Sequence, residues 1–205
     1  MADFSPTRTH STWKPRVTST SVPYFRCAHC GSIYAGVDGA VDITWYNDGE
    51  RSLIAQPPYA TAEFHPECCG EAMEHLVPVA ASEVSDKIAL DYQILGGMNS
   101  NALNVTWSVK DAECTPRWFA LKTFTGVMTK YVMPKKYPPI VFAFADEDAF
   151  AYCDKDPCVE CTFRCKRGME IYCYVEKIGL IILPLDRMVA SGSAGFDSIG
   201  LSEGD

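Results

Sequence analysis

The chain of 205 residues is long enough for one sizeable core, or for a small module beside a medium domain. Its 47% hydrophobic and 21% charged residues suit an ordinary globular protein, and a net charge of −8 argues against a nucleic-acid partner, which would need a basic face. The longest apolar run, Ile178 to Leu183, is too short to span a membrane, and the polar Ser/Thr-rich start has no apolar signal core. A cytoplasmic location is therefore expected. There the ten cysteines stand as thiols or thiolates, and their clustered spacing favours metal over disulfides.

Met1 to Val22 holds Ser, Thr and Pro and few large apolar residues, and reads as a flexible tail or an arm lying on a partner. Order is expected to begin near Pro23-Tyr24-Phe25. Cys27-Ala28-His29-Cys30-Gly31 follows, a tight knuckle whose two thiolates can grip one face of a tetrahedral metal. Next come a short strand and glycine turn over 31–39, a strand from Val41 to Tyr46, the hairpin turn Asn47-Asp48-Gly49-Glu50 and the loop Gln56-Pro57-Pro58-Tyr59. The chain returns at Cys68-Cys69-Gly70. Adjacent residues of a strand point to opposite faces, so this doublet serves one metal only if the backbone bends, and Gly70 gives that freedom as Gly31 does after the first pair. Together the pairs make a four-thiolate site of the kind zinc or a lone iron prefers; the alternative is buried structural thiols.

From Leu76 onward the pattern is β-rich. Candidate strands are Ile88 to Leu95, Leu103 to Val109, Trp118 to Gly126, Thr129 to Met133, Ile140 to Ala145 and Glu170 to Leu183, with a Pro/Lys loop from Pro134 to Pro139. Asp146 to Tyr152 reads as one helical turn or the start of a strand. No long 3.6-period segment occurs, so the expected fold is all-β with a β-sandwich. Lys130, Lys135, Lys136, Lys166 and Arg167 read as solvated loop positions. Ser191 to Asp205 is Gly/Ser-rich and acidic and is expected to be a flexible tail.

A second group, Cys153, Cys158, Cys161, Cys165 and Cys173, falls in a short span, and Cys158 to Cys165 has the spacing C-x2-C-x3-C. Cys153, Cys158, Cys161 and Cys165 are a candidate second site for a metal or an iron–sulfur cluster, against reduced cysteines at a strand end or a disulfide. Cys114 stands alone and reads as a core thiol.

Phe25-Arg26-Cys27-Ala28-His29-Cys30-Gly31-Ser32-Ile33, followed by Cys68-Cys69-Gly70-Glu71-Ala72-Met73, resembles the desulforedoxin-type module of desulfoferrodoxins. The resemblance implies that Cys27, Cys30, Cys68 and Cys69 hold one iron as a tetrahedral thiolate centre. The excursion between the pairs is longer than the family's, a change that chain entropy tolerates, and zinc stays open as the alternative metal. Glu74-His75-Leu76-Val77-Pro78-Val79, Lys130-Tyr131-Val132-Met133-Pro134 and Ala149-Phe150-Ala151-Tyr152-Cys153-Asp154 resemble segments of the same family's superoxide reductase domain, which implies an immunoglobulin-like sandwich.

That domain's centre is a ferrous iron held by four imidazoles and one axial thiolate. Cys153 matches the thiolate. Leu76, about Gly96, Ala102 and Asp156 stand where the imidazoles belong, and the chain has only His10, His29, His65 and His75. His75 reads as a surface or hydrogen-bonded side chain at the domain junction. The reading is thus a tail over 1–22, a desulforedoxin-like four-cysteine metal module over 23–75, a superoxide-reductase-like sandwich over 76–190 and a tail over 191–205. The expected role is an iron-binding electron-transfer protein with a degenerate reductase domain, served by a redox partner protein. By resemblance it forms a homodimer through the small module. The alternatives are a non-catalytic structural module holding zinc or iron, or a superoxide reductase with a rebuilt centre.

Overall fold

A computed structural model describes residues 16–17, 21–36, 45–47, 52–54, 65–96, 101–123, 126–143, 145, 148 and 169–185. Its strands are β1 (Arg16–Val17), β2 (Tyr24–Arg26), β3 (Ile33–Ala35), β4 (Trp45–Asn47), β5 (Ser52–Ile54), β6 (Glu67–Cys68), β7 (Glu71–Ala72), β8 (Glu74–Leu76), β9 (Val79–Ala80), β10 (Ile88–Leu95), β11 (Ala102–Val109), β12 (Pro116–Lys122), β13 (Val127–Tyr131), β14 (Ile140–Ala143), β15 (Glu170–Val175) and β16 (Gly179–Pro184). No α-helix occurs among the described residues.

Alternation along the strands builds a sandwich. Ile88, Tyr92 and Ile94 on β10, Leu103 and Val105 on β11 and Ile140 and Phe142 on β14 point inward from one three-stranded sheet, ordered β10-β11-β14. Phe119 and Leu121 on β12, Ile171, Cys173 and Val175 on β15 and Ile181 on β16 meet them from a five-stranded sheet, ordered β13-β12-β15-β16-β9. Within each strand these residues are two apart, or four where the partly buried Leu90 stands between Ile88 and Tyr92, as a half-buried strand face requires. Segments 81–87, 110–115 and 132–139 carry the chain between the sheets; the last is the expected Pro/Lys loop.

The strands β12 and β15 are buried on their second face as well. Trp118, Ala120, Tyr172 and Tyr174 look outward there and are covered by Val22 and Tyr24, with Ile33 and Leu76 packed at the margin. The cover is a small sheet ordered β3-β2-β8. Three layers result, and this explains why β12 and β15 read as nearly unbroken buried runs. The seam has a polar end. The Val22 N–H donates to the Tyr172 hydroxyl at 3.0 Å, and Tyr172 in turn donates to Glu170. Lys122, itself only 2% exposed, lies with its Nζ 3.6 Å from the same carboxylate. Burial pulls the Lys122 ammonium down from its usual range while Glu170 supports the charged form.

The long candidate strand from Glu170 to Leu183 is two strands. Residues Glu176-Lys177-Ile178 turn back through Gly179 at φ 97°, and β15 and β16 pair antiparallel. Two polar residues followed by a glycine in the left-handed region are the turn signal inside that apolar stretch. The segment expected as a tail, 1–22, includes β1, which pairs in parallel with β5, and the buried Val22. The expected hairpin is present: β4 and β5 pair antiparallel around 48–51. Cys114 is buried in the core as expected.

Candidate metal centre

Two short turns build the site. In the first, Cys27 leaves β2, the Gly31 N–H donates to the Cys27 carbonyl at 3.0 Å, and the Cys27 N–H donates to the Ser32 carbonyl at 2.9 Å. Gly31 takes φ 72°, and the Cys30 N–H points at the Cys27 sulfur, 3.5 Å away. The second turn joins β6 to β7, with Cys68 paired to Glu71 and only Cys69 and Gly70 between them. Both turn residues have positive φ, 55° and 82°, which is the requirement of a type I′ hairpin. The bend therefore begins at Cys69 itself and not only at Gly70, and it brings adjacent cysteines to one side of the ribbon.

The four sulfurs of Cys27, Cys30, Cys68 and Cys69 all lie within 4.8 Å of one another. Cys30 Sγ is 3.6 Å from Cys68 Sγ, and Cys68 Sγ is 3.9 Å from Cys69 Sγ. A tetrahedron with metal–sulfur bonds of about 2.3 Å has sulfur–sulfur edges of about 3.8 Å, so these separations fit a single zinc or iron ion. Cys27 is buried against Phe25 and Met73, Cys68 is half-buried, and Cys30 and Cys69 face solvent.

Without a metal the cluster divides its protons unevenly. The Ser32 hydroxyl, 3.1 Å from Cys30 Sγ, and the Ser32 N–H lower the Cys30 pKa to about 6. The thiolate at Cys30 then keeps the proton on its neighbours: Cys69 is pushed up to about 12, first by Cys30 and then by Cys68, and Cys68 is raised by Cys30 and Cys27. A dication at the centre would compete with the protons held on Cys68 and Cys69.

The sequence puts His29 beside the first cysteine cluster but assigns no role there to it or to Ser32, Tyr34 and Glu71. Ser32 polarises Cys30, and Tyr34, its own pKa raised by Cys68, lies against that sulfur. His29 Nε2 pairs with Glu71 at 3.0 Å and ties the first knuckle to the second hairpin across the sulfurs. Each follows its cysteine closely, but only the folded pairing of the two knuckles gives the proximity a meaning.

The other candidates divide. Cys153, Cys158, Cys161 and Cys165 lie outside the described residues, as do His10 and Asp156. Cys173, close to that group in sequence, is fully buried between the sheets and its thiol is pushed up by burial, so it is core. His65 and His75 are exposed, the latter with its ring 5.1 Å from Phe25. Leu76 packs into the seam, and Ala102 is paired within β11. Gly96 has φ 106°, and a Cβ there would meet Asn101 Oδ1 at 2.6 Å and the Ala102 nitrogen at 2.9 Å, so no side chain fits. Among the described residues no set of imidazoles replaces the missing ones.

No protein-family model matches the chain, and no curated protein matches it. Among solved structures, the superoxide reductase from Treponema pallidum aligns over 80% of this chain and 98% of its own, with 14% identity and a TM-score of 0.48.

Proposed function

We propose that Cys27, Cys30, Cys68 and Cys69 hold one iron as a tetrahedral thiolate centre and that the protein carries single electrons through it. The observation that supports this most directly is the mutual approach of four sulfurs within 4.8 Å on two turns whose backbones are already bent to present them. Four thiolates suit zinc equally well. Iron is favoured by the resemblance of both cysteine motifs to desulforedoxin-type modules. Bound iron would supply a one-electron couple; the chain supplies the thiolates, a Ser32 donor to Cys30 and the His29–Glu71 clasp over the exposed side. Exposed Cys30 and Cys69 give an electron partner access to the centre.

Superoxide reduction by the usual centre forms no part of this reading, because Leu76, Gly96 and Ala102 offer no imidazole. An open thiolate site favours a reducing compartment, and we place the protein in the cytoplasm. Among the described residues no helix is long and apolar enough to cross a membrane.

Metal analysis and the visible spectrum of anaerobically purified protein test the reading. One iron per chain, with a thiolate charge-transfer band that bleaches on reduction and is lost in Cys30→Ser/Cys69→Ser, is expected. A colourless protein loaded with zinc alone overturns the electron-transfer role and leaves a structural module. A second metal equivalent that vanishes in Cys158→Ser/Cys161→Ser would place a further centre on the second cysteine group.

A further inference from the structure

Two hydroxyl side chains on the strand that leaves the first knuckle face the sulfurs, one toward each turn. Side chains alternate through 32–34. Ile33 packs into the seam against the sandwich, so Ser32 and Tyr34, on either side of it, stand on the opposite face. Pairing with β2 sets Tyr34 directly across from Phe25, whose cluster contains Cys27 and has Cys68 packed against it. Tyr34 thus lies on the sulfur side of the small sheet, where its hydroxyl bonds to the Cys68 sulfur. The Ser32 hydroxyl is 3.1 Å from Cys30 Sγ. One strand therefore reaches a ligand of each turn, Cys30 of the first and Cys68 of the second.

Ligand chemistry fixes the direction of both bonds. A sulfur bound to a metal has given up its proton and can only accept, so in each pair the hydroxyl donates. The backbone already serves the first knuckle, with the Cys30 N–H pointing at Cys27 Sγ, 3.5 Å away. The two hydroxyls are additional, and because they sit on side chains each can be deleted without disturbing a turn. Ser32 is half-buried and Tyr34 is 46% exposed, so the contact at Cys68 is the more open to water. An iron centre with four thiolates carries one more negative charge when reduced. Hydrogen bonds to its sulfurs favour that form and raise the reduction potential.

We propose that the Ser32 and Tyr34 hydroxyls donate to the Cys30 and Cys68 ligands of the bound iron and tune its reduction potential, each holding it above the value the four thiolates alone would give. The inference rests on the iron–thiolate reading of the four cysteines.

Potentiometric titration of the full-length protein, loaded with iron in vitro, tests it with Ser32→Ala and Tyr34→Phe. Each variant deletes one hydroxyl and leaves the backbone donors and the tyrosine ring in place. Each is expected to favour the oxidised form at least about threefold, lowering the potential by about 28 mV or more, since tenfold is about 59 mV for a one-electron couple. The charge-transfer band should move to longer wavelength in both, because a sulfur relieved of a donor releases electron density more readily. Ser32→Thr keeps the hydroxyl and should keep the parent potential. Iron content and thermal midpoint equal to the parent's show that the packing is intact; a purely structural role would move these and not the potential. The proposal is overturned if either deletion variant, with one iron bound, keeps the parent's potential and band. Loading in vitro separates that result from failure of the electron-transfer reading. A protein that holds zinc alone as purified sinks that reading while its iron-loaded form still tests the donors, whereas a parent chain that takes up no iron with a thiolate band sinks both.

Discussion

At Cys69 the backbone takes φ 55°, a conformation that costs an ordinary L-residue about 1–2 kcal/mol, and Gly70 continues it at φ 82° without that penalty. The strain is what allows neighbouring cysteines to serve one centre. The same residue-level chemistry sets the pH response. Cys30, lowered to about 6 by Ser32, is largely a thiolate at neutral pH, while Cys69, pushed up to about 12, and Cys68, also raised, keep their protons. Binding a metal at pH 7 must therefore release protons from at least these two, so affinity rises with pH. The slope of log affinity against pH is expected to be about 2 or more above pH 6 and to steepen by about one unit below it, where Cys30 protonates too. Competition with a chelator across pH 5 to 8 measures this. A flat profile would mean that the four sulfurs are not the ligands.

At the scale of elements, most strands are legible because their apolar residues alternate. Alternation predicts Ile88 to Leu95 with the bounds that β10 has, and two cysteine pairs with a glycine after each predict the four-sulfur site. Two kinds of information are not legible. The break between β15 and β16 is hidden because both strands run through the doubly covered middle of the molecule, so neither alternates cleanly and the turn shows only as Glu176-Lys177 and Gly179. The clasp of His29 on Glu71 joins residues brought together only by pairing of the knuckles. Gly96, at the end of β10, stands near a position where the resemblance would put an imidazole, and the structure gives its lack of a side chain a steric cause. At φ 106°, with the Ala102 nitrogen 2.9 Å from where a Cβ would stand, Gly96→Ala is expected to destabilise by about 2 kcal/mol or more. A protein of this size should then lose roughly 4–8 °C in thermal midpoint, with its metal content unchanged. An unaltered midpoint would show that the β10–β11 connection relaxes freely.

The whole molecule joins two unequal parts. The sandwich core draws on both large sheets and includes none of the four clustered cysteines. The small part's own cluster is Phe25, Cys27 and Met73, and one of these is a proposed ligand. Strands of two and three residues around so small a core are not stable alone. Two attachments hold the module: the seam of Val22 and Tyr24 on Trp118, Tyr172 and Tyr174, and the cross-link a metal would make between the two knuckles. The seam anchors β2, but nothing in it restrains the β6–β7 hairpin, which reaches the rest through its cysteines, through Met73 and through the exposed His29–Glu71 pair. Removing the metal under reducing conditions is therefore expected to release 27–32 and 65–73 while β10, β12 and β15 stay folded. Hydrogen exchange read by peptide should show protection lost in the two knuckles and kept over 88–94, 118–122 and 171–175. Tyr24→Ala tests the complementary attachment: it removes a buried ring at a cost of about 3 kcal/mol or more and should loosen the module from the sandwich while the knuckles, if metal-loaded, keep their protection. Loss of protection throughout the chain on chelation alone would make the metal a folding requirement for the sandwich too, and the two-part organisation would be wrong.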